Sequence, residues 1–317
     1  MSPDGICFSI LLIHYSGHFP KRGIIMFELT QVGEYTFYFD LPSKIGVFVP
    51  DGKNAFFIDS GPHKDTAKKA LRVLREHGFA LQGILVTHAH ADHIGGNRFL
   101  QDTTGCSVFA SAGEADYTKH PYLEATTLYG GCPHKDLQHK FLLAQPCETK
   151  LLTDDGYPDG AEHICLPGHS YDMVGYRTAD NILFVADSIC SEETLQKYGI
   201  TFLFDVSKTL HSLDTLQETK ADLYIPSHAP ATKDIVPLID LNRQKILETA
   251  DFLCTQCQNA ISFEKLLQTV FSHYGLQMTH EQHVLIGSTV RSYLSYLYDT
   301  DRIGISFEEN TLLYKAL

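Results

Sequence analysis

The chain has no tryptophan, and that absence excludes no function. Other shortages are more informative. No apolar run is long enough to cross a bilayer: the best candidate, residues 6–13, falls far short of the ~20 residues that a spanning helix needs. The same segment makes a poor signal peptide. Asp4 precedes it, no basic residue does, and no small-residue cleavage site follows. Basic residues are scarce, with 25 Lys and Arg against 38 Asp and Glu and a net charge of -13. Such an excess gives no long-range attraction to a polyanion. The charge therefore disfavours nucleic acid as a partner, and no membrane partner is expected. There is no dense cysteine framework either. Cys7, Cys106, Cys132, Cys147, Cys165, Cys190, Cys254 and Cys257 are scattered over the chain and read as reduced thiols of a cytoplasmic protein. Cys254 and Cys257 form a lone CxxC in a helical stretch, too few donors to close a structural zinc site. Internal repeats and low-complexity segments are also lacking.

What remains is a globular composition, 44% hydrophobic and 20% charged over 317 residues. A chain of that size can bury a large core without staples. Three regions are expected. Residues 1–25 read as a loose tail or an over-extended start, because strand-like patterning begins only after Met26. Residues 26–237 alternate strands and helices. A hairpin is expected around Asp51-Gly52-Lys53. An amphipathic helix follows, with Ala67, Ala70, Leu71, Val73 and Leu74 on one face, and then a buried strand at 84–86. From 114 to 148 the pattern weakens into a long surface excursion rich in Tyr and Gly. Strands return at 163–166, 174–176, 182–185 and 223–225. Residues 238–317 read as three helices, 238–257, 263–273 and 280–298, followed by a hairpin around Glu308-Glu309-Asn310. That is the layout of a winged-helix module.

The chemistry concentrates in Thr87-His88-Ala89-His90-Ala91-Asp92-His93-Ile94-Gly95-Gly96, directly after the buried strand. Residues two apart at a strand end point the same way, so His88 and His90 can grip one ion. A turn at Ala91 then sends Asp92 and His93 toward a second position. Imidazole suits zinc, and the carboxylate widens the choice to iron or manganese.

This run resembles the HxHxDH signature of the metallo-β-lactamase superfamily, and the rest of that pattern occurs in order. Asp59 closes an upstream strand. His169 stands in Leu166-Pro167-Gly168-His169-Ser170, Asp187 follows an apolar strand, and His228 lies in Pro226-Ser227-His228. Alone, His169 or His228 would read as a surface or core histidine, and Asp187 as a helix cap. The resemblance covers roughly residues 27–230 and implies an α/β fold, the αββα sandwich. It implies one metal on His88, His90 and His169, a second on Asp92, His93 and His228, and Asp187 as the bridge. Asp59 would orient the ligand loop. Two divalent ions follow, with zinc expected and iron or manganese as alternatives. A hydroxide between them would attack an ester-like bond, a thioester, lactone or phosphodiester, of a small-molecule substrate, with Asp92 and His228 as the catalytic residues.

Tyr122, Tyr129, His63 and His134 are the candidates for the substrate pocket. The C-terminal layout resembles that of β-lactamase-like protein 2, some of whose relatives cut RNA. Its third helix carries only Arg291 against Glu281, so the tail is assigned to the active-site rim or to homo-oligomer formation. A thioesterase resembling glyoxalase II is a further option, although that family's tail is rich in basic residues and the tail here, after Pro237, holds more Asp and Glu than Lys and Arg. The alternatives are an endoribonuclease, a mono-iron persulfide dioxygenase and a non-enzymic binding protein on the same scaffold.

Overall fold

A computed structural model describes residues 27–139 and 142–317. The expectation for residues 1–25 lies outside the described residues. Seven strands form the first sheet in sequence order: β1 (Leu29–Gln31), β2 (Thr36–Phe39), β3 (Ile45–Phe48), β4 (Asn54–Ile58), β5 (Ala80–Leu85), β6 (Ser107–Ala110) and β7 (Lys150–Leu151). The connections dictate strand direction. β3 and β4 are antiparallel across the Asp51-Gly52 turn, where the Asp51 carboxylate accepts from the backbone N–H groups of Lys53 and Asn54. From β4 onward the pairs are parallel, because helices make the crossovers. These are α1 (Lys64–Glu76), then α2 (Ala91–Ile94) with α3 (Asn97–Thr104), then α4 (Ala112–Lys119) with α5 (Tyr122–Tyr129).

The second sheet runs β11-β10-β9-β8, with β8 (Glu162–Cys165), β9 (Val174–Arg177), β10 (Ile182–Cys190) and β11 (Leu223–His228). Between β10 and β11 lie α6 (Glu192–Tyr198) and α7 (Val206–Glu218). Then follow α8 (Val236–Gln256), β12 (Ile261–Ser262), α9 (Phe263–His273), α10 (His280–Asp299), β13 (Ile303–Glu308) and β14 (Thr311–Ala316). The last three strands form a small sheet ordered β12-β14-β13. Glu309 and Asn310 both take positive φ in the β13–β14 turn, as a two-residue hairpin requires.

Side-chain alternation builds the layers. In β4, Phe56 and Ile58 face the second sheet, while Ala55 and Phe57 face α1 and α3. In β10, Ile182 and Phe184 meet the first sheet, while Leu183 and Val185 meet the helices on the far side. The central strands therefore carry unbroken apolar runs, and the product is the αββα sandwich. α1 buries the five residues expected from its periodicity. The hydrophobic core beyond the second sheet is continuous from Leu166 to Ile303 and includes α8, α9 and α10.

Two expectations need correction. The excursion from 114 to 148 is not irregular throughout: α4 and α5 occupy much of it. α4 has no aliphatic side chain larger than alanine, and α5 buries only Ala125 and Leu128, so neither shows a 3.6-residue apolar period. Pro237 does not precede the next helix but sits within its first turn, where its missing N–H costs no hydrogen bond. No helix among the described residues is long and apolar enough to cross a membrane. The described cysteines are free thiols; Cys257 is buried in the C-terminal core, and Cys254 donates to the Arg302 carbonyl.

Candidate metal centre

β5 delivers the motif. Its last residues and Val86 are fully buried, so the chain emerges at the sheet edge with Thr87 and His88. His90 keeps an extended backbone and its carbonyl accepts from His93 N–H, starting α2 at Ala91. This turn separates the first two histidines from Asp92 and His93. A Cβ at Gly95 would collide with the carbonyl of Pro62, and one at Gly96 would lie 2.6 Å from that of Ser60. Only glycine lets α2 run this close to the segment after β4.

Two groups of donor atoms converge. Nitrogens of His88, His90 and His169 lie within 4.8 Å of one another, as do donors of Asp92, His93 and His228. Asp187 stands between the groups. Its Oδ2 is 3.5 Å from His169 Nε2 and 3.1 Å from His228 Nε2, and its Oδ1 is 3.3 Å from His93 Nε2. All these side chains are buried. Two elements reach the cluster under backbone constraint. Gly168, before His169, has φ 126, and a Cβ there would strike the backbone of Thr209. Ala186, before Asp187, takes φ 52, an uncommon conformation for a residue with a Cβ.

The outer nitrogen of each imidazole is held. His93 Nδ1 donates to Asp59 Oδ2 at 2.7 Å, His169 Nδ1 to the Phe202 carbonyl at 3.2 Å, and His228 Nδ1 to the Pro42 carbonyl at 2.6 Å. The Thr87 hydroxyl donates to Asp59 Oδ2, so His88 Nδ1, 3.0 Å away, must donate to Thr87. In each case Nε2 is left facing the cluster. His90 is reversed: its Nδ1 lies 3.0 Å from His169 Nε2, and its Nε2 faces Glu124 Oε1 at 3.5 Å. Asp59 also accepts from Thr87 N–H, and its own φ is 63.

Charge is partitioned across the cluster. Burial drives His88 and His169 below the ordinary imidazole value and His90 to about 3, so all three are neutral donors. Burial also opposes charge on His228 and His93, but the neighbouring Asp187 and Asp92 outweigh it. They lift His228 to about 9 and His93 well above its usual range. Burial would raise the carboxyls of Asp92 and Asp187, yet the His93 and His228 imidazoles hold both well below the carboxylate range.

Three residues here were not singled out from the sequence. Ser43 Oγ donates to Asp92 Oδ2 at 2.8 Å. Buried Glu114, on α4, accepts from Ala89 N–H at 2.8 Å, Ser170 Oγ at 2.5 Å and Asp172 N–H at 2.9 Å. It thus ties the His88–His90 loop to the His169 loop. Glu124, on α5, is raised to about 8 by burial and by Glu114. Neither acid stands in a recognisable motif, so no signal in one sequence could have marked it. Of the pocket candidates, Tyr122 and Tyr129 are exposed on α5, with Tyr122 Oη 3.3 Å from Cys132 Sγ. His63 is exposed beside Thr66 in the first turn of α1. His134 packs edge-on against Tyr129 and His280.

The donors fit a divalent cation. His88 Nε2, His93 Nε2 and Asp187 Oδ1 are buried without a hydrogen bond, a costly state for polar atoms that a cation relieves. The profile of the Metallo-beta-lactamase superfamily matches residues 39–228. The chain belongs to this superfamily. Among its relatives is the "Probable metallo-hydrolase YybB" of Bacillus subtilis (strain 168), 27% identical over 63% of this chain and 90% of that protein. A "Hydroxyacylglutathione hydrolase" of Shewanella loihica is 29% identical over 54% of this chain but only 58% of that enzyme. A metallo-beta-lactamase family protein of Thermus thermophilus shares the fold, with TM-score 0.68 and 16% identity over 91% of this chain and 97% of that one. That span cannot be reached without the helices after His228. This superfamily member is a metallo-hydrolase with a His/Asp metal-binding cluster.

Proposed function

We propose that His88, His90 and His169 hold one divalent cation, that Asp92, His93 and His228 hold a second, and that Asp187 bridges them to hydrolyse a small-molecule thioester. One observation carries this reading: two buried donor groups adjoin, and Asp187 lies within 3.5 Å of imidazole nitrogens of both. Imidazole with carboxylate favours zinc over the harder ions. Such a pair of ions supplies Lewis acidity and an acidified water near neutral pH.

The chain's own residues do the rest. Asp92, oriented by Ser43, receives a proton at its carboxylate as water attacks. His228, whose Nδ1 donates to the Pro42 carbonyl, keeps Nε2 turned to the second cation. Phe202, whose ring centroid is 5.5 Å from that of His90 and 5.8 Å from that of His169, keeps bulk water from one side. Of the pocket candidates, Tyr122 and Tyr129 ride on the helix that carries Glu124, and they are the substrate contacts we retain. The thioester class is favoured because two relatives named hydroxyacylglutathione hydrolase match 54% and 39% of this chain.

Two other readings are weaker. An endoribonuclease needs a basic surface, and α10, the helix that would read nucleic acid, buries Val284, Ile286, Val290 and Leu294 in the core. A mono-iron oxygenase has no use for the complete Asp92, His93 and His228 group. The test combines metal analysis of the purified protein with turnover on thioesters, lactones and phosphodiesters. Two zinc per chain with thioester cleavage is expected. One iron per chain, or cleavage of phosphodiesters alone, overturns the reading.

A further inference from the structure

Away from the buried cluster, one more set of metal-ligating side chains converges among the described residues. His134 precedes the 3-10 turn Lys135–Leu137, Asp136 lies within that turn, and His280 is the first residue of α10. Their donor atoms lie within 4.8 Å of one another, and all three residues are exposed. The His134 and His280 rings are 5.0 Å apart at 78°, and Tyr129 stands edge-on to His134 at 5.8 Å.

We infer that His134, Asp136 and His280 form a peripheral site for a zinc-class divalent ion, clamping α10 to the segment that walls the metal centre. Two imidazoles and a carboxylate, with water completing the shell, are a zinc-class donor set rather than a calcium or magnesium one. The donors come from positions far apart in the sequence, yet no ordering is needed to bring them together. Leu128 of α5, Phe202 and Leu285 of α10 already form an apolar cluster along this seam, and His139 Nε2 lies 3.7 Å from Glu281 Oε1. The preformed seam lowers the entropic cost of binding. Because the donors are exposed and water keeps part of the shell, the ion exchanges more readily than one in the buried cluster.

The seam also leads inward. Phe202 touches the rings of His90 and His169, and Glu124 of α5 faces His90. An ion on the rim therefore stiffens the wall beside the proposed substrate position. The site itself does not rest on the proposed reaction, because its donors are separate from those of the buried cluster.

Zinc is the probe. Protein loaded with zinc and cleared of excess by gel filtration is titrated with further zinc by calorimetry, alongside His134→Ala/His280→Ala and Asp136→Asn. The wild type is expected to take up one additional, weaker equivalent and to melt at a higher temperature with it. The double variant, with unchanged circular dichroism, should lose both effects, and Asp136→Asn should weaken uptake. An additional equivalent that persists in the double variant, or none in the wild type, overturns the inference. Zinc retained through gel filtration reports on the buried centre alone. Its absence would count against the proposed hydrolase, while the difference between wild type and double variant would still decide the rim site.

Discussion

Asp92 accepts from Ser43 and lies 3.5 Å from His93 Nε2 and 3.4 Å from His228 Nε2, so it stands among the proposed ligands of the second cation. Asp92→Ala should cost at least about a hundredfold in kcat on any substrate found, the usual size of a lost acid–base and charge contribution. Full activity in that variant would refute the assignment. Glu114 acts at one remove. Removing its carboxylate strands the Ala89 and Asp172 N–H groups, each costing roughly 1–3 kcal/mol where buried. Glu114→Ala should therefore lower Tm by about 5–10 °C and speed zinc loss during dialysis, because both first-metal loops lose their tie. An unchanged Tm together with unchanged zinc retention would show that the tie is dispensable. The Cys147 thiol, pushed to about 12 by burial, should resist alkylation in the native protein, while exposed Cys132 and Cys165 react. Mass spectrometry after a brief alkylation reads this directly.

At the scale of elements, the C-terminal helices contribute to one core with the second sheet. Leu294 of α10 packs in the same cluster as Leu183 and Val185 of β10 and Leu213 of α7. Leu294→Ala should cost about 2–5 kcal/mol through lost burial and a residual cavity. Because that core is shared, calorimetry should still show a single transition, moved to lower temperature. A separate low-temperature transition, leaving the remainder at its original Tm, would mean that α8, α9 and α10 unfold as an independent unit. The excursion after β6 teaches the opposite lesson about legibility. Its helices lack an apolar stripe because they pack through Ala115, Ala125, Leu128 and a buried acid, so their existence depends on partners that local sequence does not reveal.

Across the whole molecule, bound cations should dominate stability. A ligand at a thousand times its Kd stabilises the native state by about 4 kcal/mol. Chelation should thus lower Tm by on the order of 10 °C, and zinc should restore it. A chelator without effect on Tm, in protein shown by elemental analysis to have lost its metal, would separate the cluster from folding stability.

The sandwich and the order of its candidate donors are written in the amino-acid sequence alone. Strand burial on both faces produces unbroken apolar runs around β4, β5 and β10, and the spacing of His88, His90, Asp92 and His93 is a local property of one strand end and one turn. His169, Asp187 and His228 were legible only through their order along the chain. Their convergence required β10 and β11 to pair in parallel and both sheets to end on one edge. Glu114, Ser43 and Glu124 were not legible at all, because a carboxylate or hydroxyl on an undistinguished segment gains its role from whatever lies across the fold. The His134, Asp136 and His280 group was hidden for the same reason: almost 150 residues separate its halves, and only the packing of α10 against α5 brings them within reach of one ion.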